Sequence, residues 1–487
     1  MLRHKIYIFL ILIGVLSATN FIYVHLPAAQ MFSSLSPEQS EKETSRLFPD
    51  PGLTSYQMGL YLDINTRTLY GSTVLTTKNT WGKALNELWF TAYPNAFRNL
   101  LQTPAPRSAY YSGFDPGWLE FQEFKVNGQE VEYFLDGVSV QVVIPSDIIP
   151  GSDFKVEMKW QAKVPKLAYR YGTKDNVYML GNFYPILNVL DKDGWHNSYN
   201  SVFGDPFCFN CADYLVSFNL PEGYRLVSSG ENTETIAEDN GRETHFIQAQ
   251  NARDFCLAVL YDYSESKEEK GRTAISCYFP NSYQAPSNNI LRESGEILNF
   301  FACNWGSYPY PEFKVVFVPM KGFHGMEYSG LMFFSEDFLD PQTYQKDGDF
   351  ILAHEIAHQW WFGMVGNDQL KEPWLDEGLA SWSAYKYLEK YKGIKPPVNE
   401  KLKEGINLAR EMREIYSTQE YYLTAYSGGE AFWIGLENEM GAETVNKVLR
   451  RYLADYRFKI ATTSDLLEVI KKEAHKDMTE YFSKWFK

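Results

Sequence analysis

Along the first half of the chain, polar and apolar residues alternate in short runs; along the second, apolar residues recur at helical spacing. From about residue 51 to 270 the pattern predicts strands. "SYQMGLYLDIN" and "GSTVLTTKNT" are rich in Tyr, Val, Leu and Thr and end in turn residues. "SVQVVIP", "FKVEMKWQAKV" and "DYLVSFNLPEGYRLVSSG" continue the style. Strands at this spacing predict a saddle or sandwich of antiparallel sheets. The charged run "SESKEEKGR" (264–272) reads as a solvated hairpin tip near a domain boundary. After about 270 the period changes. "NNILRESGEILNFFACNWG" has helical spacing, "FKVVFVPM" and "SGLMFFSEDF" read as strands, and helices follow. These are "FILAHEIAHQWWFG", "EGLASWSAYKYLEKYKG", "GEAFWIGLENEMG", "TVNKVLRRYLADY" and "SDLLEVIKKEAHKDMTEYFSKWF".

The N-terminus is patterned differently. "MLRHK" is basic, and an apolar run then extends to Val24. A charged start and an apolar core fit a secretory signal, and a run of this length can also span a bilayer once. Arg3 and Lys5 precede the run and nothing basic follows it at once, which places the bulk outside the cytoplasm. Residues 1–25 are therefore expected to be an uncleaved anchor, with secretion after signal cleavage as the alternative. Residues 26–50, including "SSLSPEQSEKETSR", lack apolar periodicity and read as a polar tether. Residues 51–270 form the expected β domain and 271–487 a mainly helical second domain.

Composition narrows the function. The 487 residues suffice for two or three domains, and a net charge of −15 argues against nucleic acid, whose phosphates need clustered Lys and Arg. The "CFNC" pair, Cys208 and Cys211, has no second pair or nearby His to complete a zinc set, and reads as a local disulfide or two free thiols.

The candidate chemistry lies in "ILAHEIAHQWWFG". On a helix, residues four apart share a face, so His354 and His358 can hold one Zn²⁺ while Glu355 stands beside the metal. Glu377, nineteen residues after His358 in "EPWLDEGLASW", falls on the next predicted helix. A helix, a loop and an antiparallel return can bring it beside the histidines. Two His and one Glu with an open fourth position is the catalytic zinc pattern.

These residues carry a family resemblance. "HEIAH", eighteen residues and then Glu within "WLDEGLA" resemble the gluzincin aminopeptidases of the aminopeptidase N type. "HGMEYSG" (324–330) resembles that family's Gly-x-Met-Glu-Asn exopeptidase signature, and "SVFGDPFCFNCADYLVSFNLPEGYRLVSSG" its N-terminal saddle domain. The resemblance covers about 51–487. It implies a thermolysin-like catalytic domain, one zinc per chain held by His354, His358 and Glu377, and hydrolysis of peptides with a free N-terminus. It implies that Glu355 is the general base acting on a water that the metal acidifies. It implies a tyrosine that stabilises the oxyanion, and the matching position in "LTAYSGGEAFWIGLENEMG" is Tyr426, with Tyr416, Tyr421 and Tyr422 nearby. Glu327 would bind the substrate ammonium, which an internal peptide bond lacks. Gly325 and Met326 would pair with substrate backbone.

The sequence also departs from the family. His324 and Tyr328 replace the signature's first glycine and its asparagine, and His324 reads as pocket wall. No glutamine stands in "GNFYPILNVLDKDGWHN", the stretch comparable to one that helps bind the amine. The chain given ends at Lys487, so the family's C-terminal helical domain is not expected and a more open cleft is. An endopeptidase on the same scaffold is the rival that Glu327 opposes. A non-catalytic binding protein would need a broken ligand or base, and all four residues are present.

Overall fold

The computed structural model describes residues 54–270, 272–283, 287–397 and 406–487. The expected anchor (1–25) and tether (26–50) lie outside the described residues. Among the described residues no helix is long and apolar enough to cross a membrane.

The strand-patterned half forms three larger sheets and a two-stranded ribbon, Leu190–Asp191 with Gly194–Trp195. The largest has eight strands in the order Glu231–Glu238, Arg242–Ala252, Ala212–Pro221, Thr54–Asp63, Thr68–Lys78, Asp153–Lys163, Trp118–Val126, Gln129–Glu130. Its pairing is antiparallel except between Thr54–Asp63 and Ala212–Pro221, which run parallel with Thr54 opposite Ala212. Two four-stranded sheets complete the layer packing. Alternation sets which face is buried: along Asp153–Lys163, Phe154, Val156, Met158, Trp160 and Ala162 point into the core and the residues between them point away from it.

A mixed five-stranded sheet opens the second half, in the order Tyr263–Lys270, Thr273–Pro280, Glu312–Val318, Leu331–Ser335, Gly325–Met326. The charged run forms a strand of a hairpin with Thr273–Pro280, so it belongs to this sheet. Helix Ser287–Asn304 crosses over between the parallel pair Thr273–Pro280 and Glu312–Val318. The short strand Gly325–Met326 sits at the sheet edge, antiparallel to Leu331–Ser335.

The predicted helices form with two changes. "FILAHEIAHQWWFG" is α-helical only as far as Ala357, with His358 still in helical conformation, and Phe362 at φ 128° turns the chain away beyond it. The last predicted helix divides into Thr463–Ala474 and Thr479–Ser483. His475 takes a left-handed φ of 51°, and Asp477 accepts from the Thr479 amide at 2.9 Å. Each half of the chain has its own apolar core, and Met179, Cys256, Val316, Met326, Tyr328 and Phe333 fill a smaller one between the sheets.

Candidate metal centre

His354 lies in the last turn of helix Asp349–Ala357, and His358 caps it while still in helical conformation (φ −61°, ψ −17°). The i, i+4 geometry therefore holds across the helix end. His358 Nδ1–H donates to the Trp361 carbonyl at 2.9 Å, which leaves its Nε2 lone pair free for a ligand. His354 Nδ1 meets Ser381 Oγ at 3.3 Å. Helix Trp374–Lys392 returns alongside, with Glu377 in its first turn.

The donor spacing tests whether a metal fits. His354 Nε2 lies 3.1 Å from His358 Nε2 and 3.1 Å from Glu377 Oε2, and His358 Nε2 lies 3.4 Å from that oxygen. Ligands of a tetrahedral ion at about 2.0–2.1 Å are separated by roughly 3.3 Å. The three donors are buried and match that triangle.

Electrostatics agree with a site built for a cation. Burial pulls His354 below its ordinary value, against the Glu377 contact that raises it. For Glu377 burial is opposed and outweighed by hydrogen bonds from both imidazoles, which hold it well below the carboxylate range. Burial pushes Glu355 up to about 8, with His358 pulling it down and Glu377 pushing it up. Its Oε2 has no hydrogen-bond partner among the described residues.

Backbone proximity explains two short motifs. A Cβ on Gly325 would fall 2.3 Å from Glu355 Cδ, so a side chain there would displace the carboxylate. A Cβ on Gly378 would lie 2.4 Å from Gly429 Cα, so helices Trp374–Lys392 and Gly429–Met440 cross nearly backbone to backbone. That crossing brings the preceding π-helical turn, Tyr422–Gly428, against the donor set. Tyr426 donates to Glu377 Oε1 at 2.7 Å and its ring stacks on His354, centroids 5.7 Å apart. Tyr421 reaches the same oxygen at 3.4 Å, whereas Tyr422 is half exposed and Tyr416 is far more so.

Glu327 is buried beside the centre. One of its carboxylate oxygens, a His358 ring nitrogen and an Asp376 carboxylate oxygen lie within 4.8 Å of one another. Burial raises it well above the carboxylate range, and Asp205 adds to the rise. Met326 is buried next to it, while His324 is exposed with its ring edge on Phe338. Tyr328 is fully buried, and its hydroxyl has no partner among the described residues.

Sequence reasoning missed five neighbours. Asp376 takes Gln369 Nε2 at 2.7 Å and Asn367 Nδ2 at 3.1 Å, and its Oδ1 accepts from the Glu377 amide at 3.0 Å. Gln369 Nε2 also faces Glu327 Oε1 at 3.5 Å. Asp205 pairs with the buried Arg170, both from the β domain. Asp376 could have been suspected from its place before Glu377. Asp205 and Arg170 stand alone in unremarkable strings, and only folding brings them here. Cys208 and Cys211 are buried free thiols.

This is the constellation of an HExxH metallopeptidase, in which two histidines and a distant glutamate surround an ion and a second glutamate stands free. The comparisons agree. Residues 291–485 match the model described as the Peptidase family M1 domain. Aminopeptidase M1-B of Oryza sativa subsp. japonica is 24% identical over 315 residues, 58% of this chain and 35% of that protein. Glutamyl aminopeptidase of Rattus norvegicus is 23% identical over 299 residues, 56% of this chain and 32% of that one. The chain thus spans about a third of the length of these curated relatives. An M1 zinc metallopeptidase from Deinococcus radiodurans, solved with a Tyr-Ser-Ala substrate, has the same fold. The TM-score is 0.63 at 16% identity, covering 88% of this chain and 94% of that one.

Proposed function

We propose that the chain is a zinc-dependent aminopeptidase that removes the N-terminal residue from peptides. The observation that carries this is the buried Glu327 carboxylate beside a metal-donor triangle it does not join. A carboxylate in that place suits a substrate ammonium, the one charge that distinguishes a peptide terminus from an internal bond.

His354, His358 and Glu377 would hold a zinc ion, which would supply Lewis acidity for deprotonating water and polarising a carbonyl. Glu355, whose Oε2 has no hydrogen-bond partner among the described residues, accepts the proton of the attacking water and returns it to the leaving amine. Burial and the Glu377 charge hold Tyr426 well above its ordinary value, so its hydroxyl remains a donor for the carbonyl oxygen as negative charge develops. The edge strand Gly325–Met326 offers backbone groups to an extended substrate. Glu327 sets the register by holding the ammonium one residue from the scissile bond.

One zinc per chain serves this chemistry. The basic start and apolar run of residues 1–25 support a single membrane anchor with the catalytic part outside the cytoplasm, or a secreted form after cleavage. A panel of fluorogenic aminoacyl substrates, run with and without chelator and against N-acetylated counterparts, tests the reading. Cleavage of free-amine substrates that a chelator abolishes is expected. Equal cleavage of acetylated peptides would make it an endopeptidase.

A further inference from the structure

A second cluster of metal-ligating side chains lies where the β domain meets the segment between helices Asp349–Ala357 and Trp374–Lys392: His196, Cys208 and Asp368. Its spacing differs from that of the metal centre. His196 Nδ1 is 2.6 Å from Asp368 Oδ2, and His196 Nε2 is 2.8 Å from Asp191 Oδ2. The donors of the metal triangle stand 3.1–3.4 Å apart, as ligands around an ion do, whereas 2.6 Å is a charge-assisted hydrogen bond with no room for an ion between.

Carboxylates only accept. A neutral imidazole has one N–H and would set a lone pair against one of these two oxygens. The pair of contacts therefore calls for an imidazolium. The other groups facing the ring are Lys371, whose Nζ lies 4.0 Å from Asp368 Oδ2, and the Cys208 thiol, 3.8 Å from Nδ1. Burial lowers His196, but the two carboxylates outweigh it and raise the ring above its ordinary value.

The clamp holds a loop that reaches the centre. Asp368 Oδ1 accepts from the Leu370 and Lys371 amides at 3.0 and 3.1 Å, and the Gln369 amide donates to the Phe207 carbonyl of the β domain at 3.1 Å. Gln369 is buried, and its side chain spans Asp376 and Glu327. We infer that His196 is a positioning residue. As an imidazolium between Asp191 and Asp368 it fixes the loop that carries Gln369, and through Gln369 it orients Glu327 for the substrate ammonium. This rests on the reading of Glu327 as the amine anchor.

The test uses the zinc-loaded chain. ¹⁵N-histidine NMR at pH 7 should show one residue with both ring nitrogens protonated, and that signal should vanish in His196→Gln. His196→Gln should raise KM for free-amine peptides about three- to tenfold, with kcat within twofold and zinc content unchanged. Asp368→Asn should do the same, and serves if His196→Gln does not fold. Turnover of amine-blocked substrates should not move. A neutral ring, a ring nitrogen bound to metal, or an unchanged KM in both variants overturns the inference. Glu327→Ala, assayed in parallel, separates the two readings. If it abolishes the preference for a free amine while His196→Gln leaves KM alone, the clamp fails and the anchor stands. If it leaves the preference intact, the anchor reading fails, and with it the route from His196 to the substrate.

Discussion

The Tyr426 hydroxyl donates to Glu377 Oε1 across 2.7 Å, joining a π-helical turn to the helix that carries this glutamate. Tyr421 lies farther from the same oxygen, at 3.4 Å. Tyr426→Phe should therefore keep the metal and lower kcat by about 10²–10³-fold, more than it raises KM. Tyr421→Phe should cost much less. Steady-state kinetics of both variants decide it, and a collapse of Tyr421→Phe beside a normal Tyr426→Phe would reverse the assignment.

Glu377→Ala leaves two histidines as donors. Zinc content after dialysis should fall from one per chain to a small fraction, with helix content unchanged. A variant that still retains a full equivalent of zinc would remove Glu377 from the donor set.

Glu355→Gln keeps the shape of the side chain but cannot accept a proton. It should bind zinc and fold normally while losing about 10²–10⁴-fold in kcat. Measurable turnover close to wild type, with zinc content equal, would point to another base.

For the amine anchor, Glu327→Ala should lose about 1.5–3 kcal/mol of charge-assisted hydrogen bonding, roughly ten- to a hundredfold in kcat/KM. Substrates with a blocked amine should be poor for the wild type and lose little more in the variant. The four-way cycle of variant against blocking isolates the contact, because each change removes the same interaction. Additive effects would mean that some other group holds the amine.

Away from the centre, burial pushes Glu430, in the first turn of helix Gly429–Met440, up to about 7 from an ordinary 4.5. The folded state then binds the extra proton between those values, so stability falls as pH rises through this range and the penalty is complete above it. Glu430→Gln is uncharged throughout. It should stabilise the fold above pH 8 by about 1–3 kcal/mol and change little near pH 4. Urea unfolding at the two pH values measures the difference, and equal midpoint shifts at both would refute it.

Local chemistry made part of this protein legible in its sequence. Alternation marked the strands of the β domain, because a half-buried sheet sorts residues by face. The spacing of His354 and His358 followed from the helical period alone, and the family resemblance named Glu377, Glu327 and Tyr426 at positions the fold does bring together. Tertiary structure decided the rest. Gly429 reads as an ordinary small residue until the Gly378 backbone is seen to occupy the space its side chain would need, and no local pattern shows that a Cβ on Gly325 would meet the Glu355 side chain. Asp205 and His196 lie more than 100 residues before His354, and no local pattern distinguishes either. Their partners are set by how the β domain packs on the loop after the histidine helix. Such contacts depend on distance in space, which periodicity along a chain does not encode.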